Sequence, residues 1–145
     1  MLGISTKGRY AVRIMVRLVC LAGKSPVRKT DIATAEGISA DYVDQILMKL
    51  RSSSLVSSRR GSKGGYLLAC PAEDLTVADV VTATEGEIAL APCLNGDCKS
   101  SPKCVTKAVW ERANNAIKEV FADVRISDLA KQAMSAQEGP LVFDI

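Results

Sequence analysis

The sequence predicts a mostly α fold: a winged helix-turn-helix domain with a small two-stranded wing, a cysteine-rich loop and a long helix. Three observations predict it. Apolar residues recur at helical spacing over residues 5–22, 39–52 and 105–121. Two short helical segments meet across Gly37, the pattern of a helix-turn-helix. A glycine-rich, cationic stretch from Ser57 to Gly65 then separates two short β-type runs, which is the order of a wing.

Each element has a local reason. Tyr10, Ala11, Ile14, Met15, Leu18, Val19 and Ala22 give residues 5–22 one apolar face, and Gly23 and Pro26 end the helix. Thr30 is placed to cap a second helix over 31–36, with Ile32 and Ala33 inward and Gly37 as its stop. Ser39 caps a third helix reaching about Ser52, with Val43, Ile46, Leu47 and Leu50 as its stripe. Leu55-Val56 and Tyr66-Leu67-Leu68 are the wing strands. Thr76 and Asp79 have capping-box spacing and open a helix that ends at residues 84–86. The longest helical pattern runs from Pro102 to about Asp123, with Val105, Ala108, Val109, Ala113, Ala116, Ile117, Val120 and Phe121 on one face. A chain of 145 residues has little left to cover that face. The same helix of a second copy is the expected cover, with packing on the first helix as a partial alternative. Ser127 is placed to cap a last helix over 128–136. The expected organisation is therefore a winged helix-turn-helix domain over 1–85 and a cysteine loop over 86–104. A dimerisation helix and short C-terminal helix over 105–136 and a flexible tail over 137–145 complete it.

Composition narrows the function. Lys7, Arg9, Arg13 and Arg17 interrupt the first apolar stretch, which argues against a signal peptide or membrane span and for a cytoplasmic protein. The net charge of +3 conceals a split. Residues 1–72 carry twelve Lys/Arg against four Asp/Glu, whereas residues 73–145 carry seven against twelve. A polyanion is drawn to the first half and repelled by the second, so double-stranded DNA is the expected partner, and a solvated basic face is the bland alternative. The third helix would read bases. Its outward set includes Ser39, Asp41, Tyr42, Asp44 and Gln45, and glutamine matches an adenine edge while a carboxylate accepts from cytosine N4. Arg59, Arg60, Gly61, Ser62 and Lys63 would form the wing's contact with backbone or minor groove. Lys7 and Thr30 complete the candidate DNA-binding set. Catalysis is not expected: the chain has no His, no P-loop, no Gly-x-Ser-x-Gly and no dinucleotide fingerprint.

Cys93, Cys98 and Cys104 form the second candidate site. Three thiolates in a loop with Pro92, Asn95, Gly96, Asp97 and Pro102 can converge on one soft metal centre. Their spacing is wider than the usual zinc pairs. Three readings stand: an iron–sulfur cluster, a thiol/disulfide switch of the Cys93–Cys104 type, and a zinc-stapled module for a protein partner. Cys20 and Cys70 lie in apolar runs and read as core thiols.

The chain resembles the IscR-type family of bacterial winged-helix iron–sulfur regulators, which has nitric-oxide-sensing and iron-sensing members. The resemblance covers Ser5 to about Asp128. It rests on Ser5-Thr6-Lys7-Gly8-Arg9-Tyr10-Ala11-Val12, on Ile38-Ser39, Tyr42 and Gln45, and on Leu55-Val56-Ser57-Ser58, Arg60-Gly61 and Gly64-Gly65-Tyr66-Leu67-Leu68. Cys93, Cys98, Cys104 and Trp110 extend it. It implies a homodimeric transcription factor, usually a repressor, on a pseudo-palindromic operator. It also implies DNA contact through Ser39, Tyr42, Gln45 and Arg60. Further, it implies one [2Fe–2S] or [4Fe–4S] cluster per subunit on the three cysteines. Two departures concern the fourth ligand. Lys107 stands where the IscR type has a His, and Arg9 stands where the nitric-oxide sensors have a carboxylate. Asp97, Glu85, Glu87, an exogenous thiol or water, or a group from the other subunit are the candidates that follow.

Overall fold

The computed structural model describes residues 3–22, 25–96, 98 and 103–136. The element order is α1 (Thr6–Ala22), α2 (Lys29–Glu36), α3 (Ala40–Ser52), β1 (Val56–Arg59), β2 (Gly65–Leu68), α4 (Val77–Glu85), α5 (Lys107–Asp123) and α6 (Ile126–Ala136). A short 3-10 turn, Pro92–Leu94, sits between α4 and α5.

The periodicity of the first three helices becomes one core. Ile14, Met15 and Leu18 of α1, Ile32 of α2 and Val43, Ile46, Leu47 and Leu50 of α3 are fully buried together. Each such side chain contributes about 1.5–3 kcal/mol on burial. Gly37 ends α2 in the left-handed region (φ 66°), and its N–H bonds Ala33 O. Ser39 caps α3, its hydroxyl accepting from the Tyr42 N–H at 3.2 Å. Thr76 and Asp79 make a reciprocal capping box at the start of α4.

Several expectations are corrected. The residue before α2 is Arg28, which makes no side-chain cap, so Thr30 lies inside the first turn rather than at the cap. Ser127 likewise lies inside α6, buried, because Ile126 is pulled into the core and starts the helix two residues earlier. In the long helix, regular hydrogen bonding begins at Lys107, and Cys104 stays in the turn before it. The sheet is β1 and β2 antiparallel, with Val56 opposite Leu68 and Arg59 opposite Gly65. Arg59 is therefore in a strand, and Leu55 is not. Val27 adds a bridge: it exchanges both backbone hydrogen bonds with Tyr66, at 2.9 and 2.8 Å.

The chain crosses back on itself after α5. The Ile126 N–H bonds Leu75 O, the Val77 N–H bonds Val124 O, and α6 packs on α1 with Ile126 and Ala130 fully buried. The winged-helix core thus takes α6 from beyond the boundary expected at residue 85.

Two polar tertiary links join distant segments. Glu36 is buried and receives Arg13 at 2.7 Å and Arg17 at 2.8 Å, locking α2 to α1. Ser5 caps α1, its hydroxyl accepting from the Gly8 N–H. The carboxylate that completes a capping box usually comes three residues on. Here that residue is Gly8, and Glu85 at the end of α4 takes the role, accepting from the Ser5 N–H (3.0 Å) and hydroxyl.

α5 packs along α4 through the side where Ile117 and Phe121 are half-buried. Its other apolar residues are open: Val109 is 56% exposed, Trp110 44% and Val120 59%. No helix among the described residues is long and apolar enough to cross a membrane.

Candidate nucleic-acid interface and cysteine loop

The inner face of α3 is fixed by Val43, Ile46, Leu47 and Leu50. At about 100° per residue, the opposite ridge is Asp41, Gln45, Met48 and Ser52. All four are exposed. Asp41 and Gln45 belong to the outward set expected from the sequence, and Met48 and Ser52 extend it. The signal for Met48 was available: it is the residue seven positions after Asp41 on a helix whose buried stripe the sequence reveals.

The flanks of α3 hold the other candidates differently. Tyr42 is half-buried and meets the Tyr10 ring edge-on, centroids 6.0 Å apart. Arg13 stacks over the Tyr10 ring, its guanidinium carbon 5.1 Å from the centroid. Asp44 faces the wing: its carboxylate accepts from the Tyr66 hydroxyl at 2.9 Å and pairs with Lys29 at 3.5 Å. Burial, reinforced by Asp44, raises the Tyr66 phenol above its ordinary pKa. The Ser39 hydroxyl accepts in its cap and keeps its O–H as a donor.

Wing and helix-turn-helix are stitched together. Arg28 donates to Ser62 O at 3.1 Å and Arg51 to the Ser58 hydroxyl at 3.2 Å. Arg59, Arg60, Gly61, Ser62 and Lys63 are all exposed. Arg28, Lys29, Arg51, Arg59 and Arg60 line a notch between α2, α3 and the wing, where Asp44 is the acidic lining residue. Arg28 and Arg51 were absent from the expected set, because only the fold brings them beside the wing. Thr30 is exposed near the notch, and Lys7 lies half-buried in the first turn of α1.

The cysteine loop is described in part. Cys93 lies in the 3-10 turn, and Cys93, Cys98 and Cys104 are all partly exposed free thiols. Among the described residues no three His, Cys, Asp or Glu side chains are gathered as a metal site. Cys104 precedes α5. The Thr106 hydroxyl, which makes no helix cap, lies 3.3 Å from the Cys104 sulfur. That hydrogen bond, with the backbone N–H groups of Thr106 and Lys107 and the Lys107 charge, holds the Cys104 thiol below its ordinary pKa. Cys20 and Cys70 are shifted upward, first by burial.

The carboxylates considered as further ligands have other partners. Glu85 holds Ser5, and Glu87 pairs with Lys118 at 3.2 Å. Lys107 pairs with Glu111 at 3.6 Å. Asp97 lies outside the described residues. The loop is tethered by Asn114, the buried polar residue of α5, whose Oδ1 accepts from the Leu90 N–H at 3.0 Å.

Comparison with known proteins agrees with this architecture. The Rrf2 family model, described as an iron-dependent transcriptional regulator, matches residues 4–132. The HTH-type transcriptional regulator IscR of Vibrio atlanticus is 35% identical over 88% of this chain and 75% of its own length. Among solved structures, T. potens IscR has a TM-score of 0.75 at 36% identity, covering 97% of this chain and 94% of that one. CymR, the global cysteine regulator of B. subtilis, has the same TM-score at 34% identity, covering 91% and 98%. The winged helix-turn-helix, its family match and these relatives together show that the chain belongs to the Rrf2 family of transcriptional regulators.

Proposed function

We propose that this regulator works as a homodimer on a pseudo-palindromic DNA operator, as a repressor whose grip depends on the state of its cysteine loop. The observation that carries the proposal is the outward ridge of α3, polar at three of its four positions, beside a notch lined by five cations. The ridge suits base edges and the cations suit phosphate. Two such readers, one helical turn apart, suit a twofold operator. Dimerisation is supported by α5. Its open apolar residues adjoin a groove of about 480 Å³ lined by Ile88, Leu90, Ile117, Val120 and Phe121, and a second copy would cover both. On this reading residues 1–85 with α6 form the reader, 86–104 the sensor and α5 the dimer contact.

For the sensor, the leading reading is an iron–sulfur cluster. The donor chemistry fits at three positions: Cys93, Cys98 and Cys104 are soft ligands in one loop, and the surroundings of Cys104 shift it toward the thiolate that binds iron. A bound cluster would supply a centre sensitive to iron supply, oxidant or nitric oxide. Glu85 or Glu87 would serve as the fourth donor only by loosening or sharing its bond to Ser5 or Lys118. Asn114 and Glu85 then connect loop order to α5 and to the start of α1. The test is operator binding by anaerobically prepared protein, assayed for iron and acid-labile sulfide, against Cys93→Ala. The expected result is iron and sulfide in the wild type and a changed affinity or preference in the variant. Equal affinity and equal preference would end the coupling.

A second reading keeps the reader and makes the switch a thiol/disulfide couple. The lowered pKa of Cys104 favours it, because the thiolate is the form that attacks a disulfide. Iron-free protein whose operator binding changes on oxidation, with a mapped Cys93–Cys104 bond, would select this reading.

A further inference from the structure

We infer that Met48 reads the 5-methyl group of a thymine in the major groove, as a specificity-determining residue of the α3 reader. The inference rests on the proposal above that α3 enters DNA. Met48 is 59% exposed on the outermost ridge of α3. Its ridge neighbours Asp41, Gln45 and Ser52 are all polar, as are Lys49 and Arg51 beside it. The elements packed most extensively on α3 are α1, α2, α4 and β1, β2 reaches its flank through Tyr66 on Asp44, and the buried face is Val43, Ile46, Leu47 and Leu50. Met48 thus presents a flexible, polarisable apolar chain at the centre of a polar surface.

The chemistry of the groove names the target. Among the groups that base pairs display there, amide, carbonyl and ring nitrogen atoms want hydrogen bonds, and the thymine methyl alone rewards an apolar contact. Position gives the neighbour. Gln45 lies three residues earlier on the same ridge, about 4.5 Å along the helix axis, and stacked bases are about 3.4 Å apart. Gln45 and Met48 would therefore address adjacent or near-adjacent base pairs, Gln45 an adenine and Met48 a thymine. The expected half-site carries an A·T pair at each of those two positions.

The experiment begins with selection of binding sites from a random duplex library by the full-length, anaerobically purified chain. Each thymine of the selected duplex is then replaced by deoxyuridine, which lacks only the methyl group, and affinity is read by fluorescence anisotropy at fixed salt. One thymine per half-site, within two base pairs of the position relaxed by Gln45→Ala, should weaken wild-type binding about fourfold when replaced, and both together about fifteenfold. Met48→Ser should bind the thymine and deoxyuridine duplexes equally, and Met48→Leu should keep most of the discrimination. The result that overturns the inference is a selected operator at which no thymine-to-deoxyuridine change matters, or one at which Met48→Ser discriminates as the wild type does. Failure to enrich any sequence would overturn the duplex-binding reading itself and this assignment with it.

Discussion

Gly8 and Glu85 offer a prediction in which one substitution changes sign with its background. Gly8 is buried in the first turn of α1, and a Cβ built there would fall 2.2 Å from Glu85 Oε1 and 2.9 Å from Ile4 Cγ2. Gly8→Ala must therefore push the Glu85 carboxylate off Ser5. Two charge-assisted hydrogen bonds are lost. Because the carboxylate is exposed, each is set at the typical net value of about 1 kcal/mol, about 2 kcal/mol together. Alanine in place of glycine returns about 1 kcal/mol of helix propensity. The net expectation is a destabilisation of about 1 kcal/mol. In a Glu85→Ala background the carboxylate is gone and only the half-buried Ile4 methyl, at 2.9 Å, has to give by a few tenths of an ångström, so the same Gly8→Ala change should stabilise by up to about 1 kcal/mol, a coupling of about 2 kcal/mol. The four proteins would be compared by urea denaturation followed by circular dichroism, at one protein concentration because assembly shifts the midpoint. Gly8→Ala destabilising both backgrounds equally would refute the reasoning and place the obstacle in Ile4 or the backbone.

Three further outcomes follow from the same physics. In metal-free, reduced protein, Cys104 should alkylate at lower pH than Cys20 or Cys70, since its thiolate is favoured and theirs are disfavoured; Thr106→Val should move its labelling curve to higher pH, as peptide mapping would read. Glu36→Ala should cost about 2–3 kcal/mol in chemical denaturation, below the full cost of breaking a buried pair because Arg13 is 59% exposed and can turn to water. Val120→Glu puts a charge into the open apolar face of α5 and should shift the molecule toward the 15.4 kDa monomer in sedimentation, with operator affinity falling alongside.

What could be read before folding was local. Ser39, Gly37 and the Thr76–Asp79 box are decided within four residues, and each forms as expected. The stripe of α3 needs only the helical period, and its four residues are fully buried. What escaped depends on partners far along the chain. Glu85 caps a helix that begins eighty residues earlier. Glu36 looks like any acidic end of a short helix until two arginines of α1 converge on it. Ser127 looks like a cap until Ile126 is claimed by the core. At the candidate interface, the ridge residues Asp41 and Gln45 were legible from periodicity. Asp44 was legible as outward, but its bond to Tyr66 needed the wing in place. Arg28 and Arg51 needed it too. For the cysteines, the sequence names the donors, and how they would share a centre depends on a loop of which residues 97 and 99–102 lie outside the described set.

Tyr66 is moored three ways: by its two backbone bonds to Val27, by its ladder to Ser58 and by its phenol on Asp44. The strand that carries the wing therefore shares its footing with the linker before α2 and with α3. Such a unit swings whole, like a caliper jaw, with little play between its tip and its reading edge. If two copies pair as proposed, a signal would retune the protein by opening or closing the gap between two stiff jaws, and operators would be sorted by the distance between their halves as much as by their letters.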